Sequence, residues 1–230
     1  MERFLLLWLE GPLQAWGYDS RFDIRNTAEF PTRSGLSGLL LAAAGDSGPQ
    51  TELLEKLACS PLRIFSFESE TSQLVDFHMV GGGYDGNSKR EKLMTLKKID
   101  GGTPVGGGTK LTYRHYLVDR CFAAVWQMPE ELAAKFSAAL QAPVFEIYLG
   151  RKCCVPSEII YQGCFSDMEQ ALKQLRALAD SKALSPAHCY REISDSECDE
   201  ETLLLADVPL RFGIHKLYGE RYVKKEDFSF

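Results

Sequence analysis

No apolar run in this chain of 230 residues reaches the roughly 20 residues that a membrane-spanning helix needs. The sequence therefore offers no membrane segment and implies no membrane partner. Paired cysteines are missing as well: the seven are an odd number, none stands in C-x-x-C spacing, and only Cys153 and Cys154 are neighbours. Neither a disulfide framework nor a structural zinc site fits that distribution. A basic surplus is absent too, since 26 Lys and Arg face 32 Asp and Glu for a formal net charge of -6. Free, non-specific nucleic-acid binders usually show a basic footprint over much of their surface, and this chain does not. The four histidines, His78, His115, His188 and His215, are scattered. There is no G-x-x-x-x-G-K-S/T loop, G-x-S-x-G elbow or H-E-x-x-H helix, so no cofactor is expected. Met1 to Leu9 is too short for a secretory signal, and Glu2 and Glu10 mark its ends; a soluble, cytoplasmic protein is expected.

What is present is a chain that is 45% hydrophobic, enough for a real core. Charge is unevenly placed. From Tyr84 to Arg120 there are eight Lys or Arg against four acids, whereas Asp195 to Glu201 holds five carboxylates and no base. An acidic total can thus coexist with a locally basic segment. Near the N-terminus an apolar run, Phe4 to Leu9, breaks at Gly11-Pro12, and Phe30-Pro31-Thr32-Arg33-Ser34-Gly35 opens a second run to Ala44. That order reads as strand, wide loop, helix. A helix start carries unsatisfied backbone N–H groups and a positive dipole end, so Arg33 and Ser34 there form a candidate phosphate site. Gly35 and Gly38 lack a Cβ and would admit a close neighbour.

Periodicity places further elements along the chain. Helices are expected over Ser34–Ala44, Thr51–Cys59, Met128–Leu140 and Ser166–Asp180, the third with a proline and acids in its first turn. Strands are expected over Phe4–Leu9, Leu62–Phe67, Leu74–Val80, Thr112–Leu117, Cys121–Gln127 and Val144–Leu149, then Ala187–Ile193, Thr202–Ala206 and Leu210–Ile214. The order β-α-β-β-α-β over residues 1–150 is the ferredoxin-like (RRM-like) arrangement of an α+β protein. Residues 81–110, with a glycine triplet near each end, read as a long insertion outside the core. Residues 151–230 read as a small β-rich C-terminal unit.

Four segments together resemble the CasD family of type I-E CRISPR Cascade subunits, which cap the 5′ end of the guide RNA. They are Gly11-Pro12-Leu13-Gln14-Ala15-Trp16-Gly17, Phe30 to Leu36, Tyr113-Arg114-His115-Tyr116-Leu117 and Tyr148-Leu149-Gly150-Arg151-Lys152. Their order and spacing, more than any one of them, carry the likeness, which extends to about residue 165. The resemblance implies a non-catalytic subunit with a ferredoxin-like domain, in which a projecting thumb, here residues 81–110, hooks the 5′ handle and packs on the adjoining backbone subunit. It further implies that the chain joins that backbone to the large subunit and meets target DNA only indirectly. One departure is His115, where the family leads one to expect an acidic residue.

Single-stranded RNA is held by cations along its phosphates and by planar side chains under unstacked bases. Candidates for those roles are Arg33 and Ser34 at the helix start, Gln14 and Trp16 in the adjoining loop, Lys89, Arg90, Lys97 and Lys98 on the insertion, and Arg114 on a strand. Each has a structural alternative: Trp16 as core, Arg114 paired with a carboxylate, the lysines as a solvated face. Two other functions compete. A related type I-C subunit cuts precursor guide RNA, and Tyr113, His115 and Lys110 supply side chains for metal-independent cleavage, although on a strand only Tyr113 and His115 share a face with one another. Alternatively, the acidic 195–201 loop binds a basic protein and the chain is an RNA-independent interaction module.

Overall fold

The computed structural model describes residues 1–18, 20, 23–70, 73–80, 100–102 and 110–230, with Val80 and Lys110 described by their backbone. Lys89, Arg90, Lys97 and Lys98, and most of the 81–110 insertion, lie outside the described residues.

Successive side chains of a strand point to opposite faces, so an unbroken apolar run such as Phe4 to Leu9 requires cover on both sides. Helices supply it. In β1 (Glu2–Gln14), Leu5, Leu7 and Leu9 share a core with α1 (Arg33–Ala44), Leu57 of α2 (Thr51–Ala58) and α3 (Glu130–Gln141). On the other face Leu6 and Trp8 pack with Ala171, Leu175 and Ala179 of α4 (Met168–Ser181). The helix bounds have local causes. Thr32 caps α1 by accepting from Gly35 N, and Gly45, at φ 73°, closes it in the left-handed region that glycine tolerates. Asp167 likewise caps α4, accepting from Gln170 N at 2.9 Å.

Among the described residues the remaining strands are β2 (Ile24–Arg25), β3 (Leu62–Phe67), β4 (Gln73–Val80), β5 (Lys110–Pro129), β6 (Tyr161–Phe165), β7 (Pro186–Ile193), β8 (Leu203–Arg211) and β9 (Leu217–Asp227). With β1 they form one nine-stranded sheet in which β6-β1-β5-β3-β7-β9-β8 are successive neighbours and β2 and β4 both pair with β5. All the pairings are antiparallel except that of β2 with β5. The fold is thus mixed α and β around a large antiparallel sheet.

Four expectations are corrected. The strands expected over Thr112–Leu117 and Cys121–Gln127 are one element: Asp119 adopts φ 46° between them, yet pairing with β1 runs from Gln14↔Leu117 to Glu2↔Pro129. Val144–Leu149 is not a strand, because its backbone is engaged elsewhere: Val144 N and Phe145 N donate to Ala43 O and Ala42 O at the end of α1, and Leu149 N donates to Cys154 O. The edge of β1 goes instead to β6, which pairs Phe4↔Phe165. The expected break at residue 150 is no break in the sheet: β6 extends one side beyond β1, and β7, β9 and β8 extend the other beyond β3. The expected Leu210–Ile214 strand is largely the turn between β8 and β9.

Candidate nucleic-acid interface

Arg33 lies at the first position of α1 and is fully buried. Its guanidinium forms an ion pair with Glu192 of β7 and donates to the carbonyls of Leu57 and Ser60, at the end of α2 and just beyond it. It also stands over the Trp126 ring, 5.5 Å from the centroid. Arg221 of β9 approaches the same Glu192 at 3.4 Å and grips Asp207 of β8 through two bonds of 2.6 and 2.8 Å. Asp207 in turn accepts from Arg33 N at 2.7 Å. Desolvation draws the Arg33 guanidinium below its ordinary pKa, a pull opposed by Glu192. The cation and the helix dipole do attract anions, but those anions are Glu192 and Asp207, internal to the chain. The expected phosphate site at Arg33 is therefore corrected to a buried four-charge clamp.

Gln14 and Trp16 are buried likewise. Gln14 Nε2 donates to Leu9 O and Arg120 O at 3.0 and 2.6 Å, while its Oε1 accepts from Trp16 Nε1 at 3.0 Å. Every strong valence of that amide points inward, which corrects its expected role as a reader of base edges. Trp16 lies so close to α1 that a Cβ on Gly35 would stand 2.7 Å from its Cε3. It is core, and corrected from a stacking surface. Ser34 is half-buried, with Oγ 3.4 Å from Thr32 Oγ1. Gly150, at φ 95°, lies against Ala15, whose carbonyl oxygen would stand 1.8 Å from an added Cβ. The segments that carry the family likeness thus interlock with one another.

The solvent-facing candidates lie on an arm. Gln73–Val80 of β4 pairs with Lys110–Leu117 of β5, and at about 3.3 Å per residue these eight-residue strands extend for about 26 Å. Paired residues share a face and faces alternate. One face carries Val75 opposite His115, Phe77 opposite Tyr113 and Met79 opposite Leu111, joined by Ile24 of β2 opposite Tyr113. Ile24, Val75, Phe77, Met79, Leu111 and Tyr113 are all exposed, and the Phe77 and Tyr113 rings are 5.4 Å apart. Tyr113 and His115 share this apolar setting. The Lys110 side chain lies outside the described residues.

On the other face Arg114 stands between Arg25 of β2 and Asp76 of β4. Arg114 Nε donates to Thr112 Oγ1 at 3.2 Å. Arg151 locks its own loop to the foot of the arm, donating to His115 O at 3.0 Å and Arg25 O at 2.8 Å, with its guanidinium 4.7 Å from the Tyr116 ring centroid. Exposed Lys152 follows it. Like charges in register are unfavourable unless an anion lies near, and Asp76 faces Arg114 across the β4–β5 pair. The arm therefore offers cations on one face and exposed aromatic surface on the other. Arg25, Arg151 and Lys152 were not singled out in the sequence, although Gly150-Arg151-Lys152 was in plain view as a motif.

Known proteins share this architecture. A solved CRISPR RNA-guided surveillance complex contains a chain that superposes with a TM-score of 0.73 at 28% identity, covering 97% of this chain and 89% of that one. The crystal structure of a Cas protein superposes with a TM-score of 0.59 at 25% identity, covering 97% and 94%. In sequence, the chain is 32% identical over 185 residues to the CRISPR system Cascade subunit CasD of Escherichia coli (strain K12), covering 75% of this chain and 76% of that protein. A sequence model of the family described as CRISPR-associated protein (Cas_Cas5) matches residues 4–224, and the chain belongs to that family.

Proposed function

We propose that this chain is a non-catalytic subunit of a type I CRISPR surveillance complex of the Cascade kind, and that it holds the 5′ handle of the guide RNA with its β4–β5 arm. The observation that carries the reading is the two-sided arm: Arg25 and Arg114 in register on one face, Phe77 and Tyr113 exposed on the other. Cations position phosphates, and exposed aromatic rings receive unstacked bases without regard to sequence. The likeness to a Cascade subunit and to a chain of an RNA-guided complex supports the same assignment. The backbone and large subunits of such a complex are the protein partners, and the cytoplasm is the compartment. Base pairing of the guide would carry target specificity, while this chain sets the register from which pairing starts.

The strand order β6-β1-β5-β3 supports a ferredoxin-like core, with β3 and β5 as the two middle strands in sequence and β6 as the last. On that reading the arm is an outgrowth of the connection between β3 and β5. Tyr113 and His115 stand beside Val75, Phe77 and Leu111, an apolar setting that favours contact with bases over acid–base chemistry.

The test is a salt titration. The full chain is measured against a fluorescent RNA carrying the repeat-derived handle, and Arg114→Ala is expected to weaken binding and lower the slope of log K against log salt by about 1. An unchanged slope would remove Arg114 from the interface. Metal-independent cleavage of repeat RNA on a gel would overturn the non-catalytic reading.

A further inference from the structure

At the foot of the arm, on the face that carries Val75 and Phe77, a groove of about 710 Å³ opens between β5, β3, β7 and β9. Gln73 and Leu117, the first pair of that face, line its upper end. Glu29, Arg120, His188, Tyr190, Lys225 and Asp227 line the rest. None of these six takes part in the Arg33 clamp or in the cation row of the opposite face.

The chemistry of the lining selects a kind of ligand. Carboxylates match the cations in number or exceed them, since Glu29, Glu68 and Asp227 stand against Arg120 and Lys225, so the groove is not built to hold a phosphate. It offers acceptors and donors side by side, as the edge of a nucleobase requires. Tyr190 is stacked on Phe30, with ring centroids 4.0 Å apart and an interplanar angle of 19°, giving an aromatic wall. His188 Nδ1 stands 3.3 Å from Asp227 Oδ1 on the same wall. A volume of this order suits a small-molecule-sized group, and Gln73 and Leu117 of the lining lie on the strand face that carries Phe77 and Tyr113.

We infer that this groove receives one unstacked base of the bound RNA, a base bearing an exocyclic amino group that donates to Glu29 or Asp227, while Lys225 at the rim meets the adjoining phosphate. The inference rests on the RNA-binding reading above. Adenine, cytosine and guanine satisfy it and uracil does not, because only uracil lacks the amino donor.

The probe is a single-stranded RNA of the repeat-derived handle sequence, together with a series in which one abasic position is walked along it, each titrated against the full chain. One position is expected to cost about tenfold in affinity, as loss of a stacked base does. In Glu29→Ala and Asp227→Ala, both at exposed residues, that position is expected to lose its penalty in at least one of the two while the other positions keep theirs. If no abasic penalty changes in either variant while Arg114→Ala still weakens binding, the pocket is wrong and the RNA reading stands. If the wild-type chain binds none of the RNAs, alone or in the assembled complex, both fail. If the two variants leave RNA binding untouched but impair assembly with the other subunits, the groove takes a protein side chain, which also overturns the inference.

Discussion

Replacing Arg33 by methionine separates a structural cation from an RNA-binding one. The substitution keeps an unbranched stem as far as the position of Nε and removes the guanidinium with its charge. It would take one donor from each of the Leu57 and Ser60 carbonyls, which keep Trp126 Nε1 at Ser60 O and Ser60 N at Leu57 O, and leave Glu192 paired with Arg221 at 3.4 Å. Arg33 is fully buried and the Glu192 side chain is 24% exposed, so solvent screens the loss only in part. Removing one partner of a buried ion pair costs about 3–5 kcal/mol, a large fraction of the roughly 5–15 kcal/mol that holds a typical domain together. For a chain of this length, thermal unfolding should shift down by roughly 6–20 °C, taking about 2–4 °C per kcal/mol. A urea titration followed by tryptophan fluorescence gives the same quantity as a fall in midpoint at constant m. Glu192→Gln should approach the same loss from the other side, and the two substitutions together should cost less than their sum because they share one contact. An Arg33→Met protein with unaltered stability and weakened RNA binding would refute the clamp and restore a phosphate role for Arg33.

Two glycines of α1 should respond in opposite directions to the same change. Gly35→Ala drives a Cβ to 2.7 Å from Trp16 Cε3, and is expected to destabilise by about 1–2 kcal/mol in denaturant titrations. Gly38 has nothing within 4 Å of an added Cβ, so Gly38→Ala should stabilise by about 0.5–1 kcal/mol through helix propensity; equal effects at both would refute the Trp16 packing. Burial pushes the Cys154 thiol up to about 12, whereas neighbouring Cys153 is exposed. Iodoacetamide at neutral pH followed by peptide mass spectrometry should therefore find Cys153 modified and Cys154 spared until the chain unfolds. Modification of Cys154 in the native protein would show that the loop around it opens.

Features set by neighbours in sequence were legible from the sequence. The cap at Thr32 and the stop at Gly45 bound α1 within a residue of its expected limits, and α2, β3 and α4 also lie close to theirs, because a helical or strand period and a cap are written within a few residues. The family likeness was legible for a related reason. Its motifs are short, and they interlock through Gly35 against Trp16 and Gly150 against Ala15, contacts that tolerate few other residues.

Tertiary structure alone decided where the charges found their partners. An Arg at a helix start announces that an anion is near, and the local pattern was read as a phosphate site; the anions are Glu192 and Asp207, 159 and 174 residues further along. The same holds for β6 replacing the expected Val144–Leu149 strand, for β5 running unbroken past Asp119, and for residues 151–230 joining the one sheet. Which distant segments become neighbours depends on strand order and register across the sheet, and hydrophobic period carries no record of either. By itself, then, the sequence determined the local elements and the family. The fold determined that Arg33 faces inward and that Arg25, Arg114 and Arg151 gather at the arm, because a charge is placed by the surfaces that close around it.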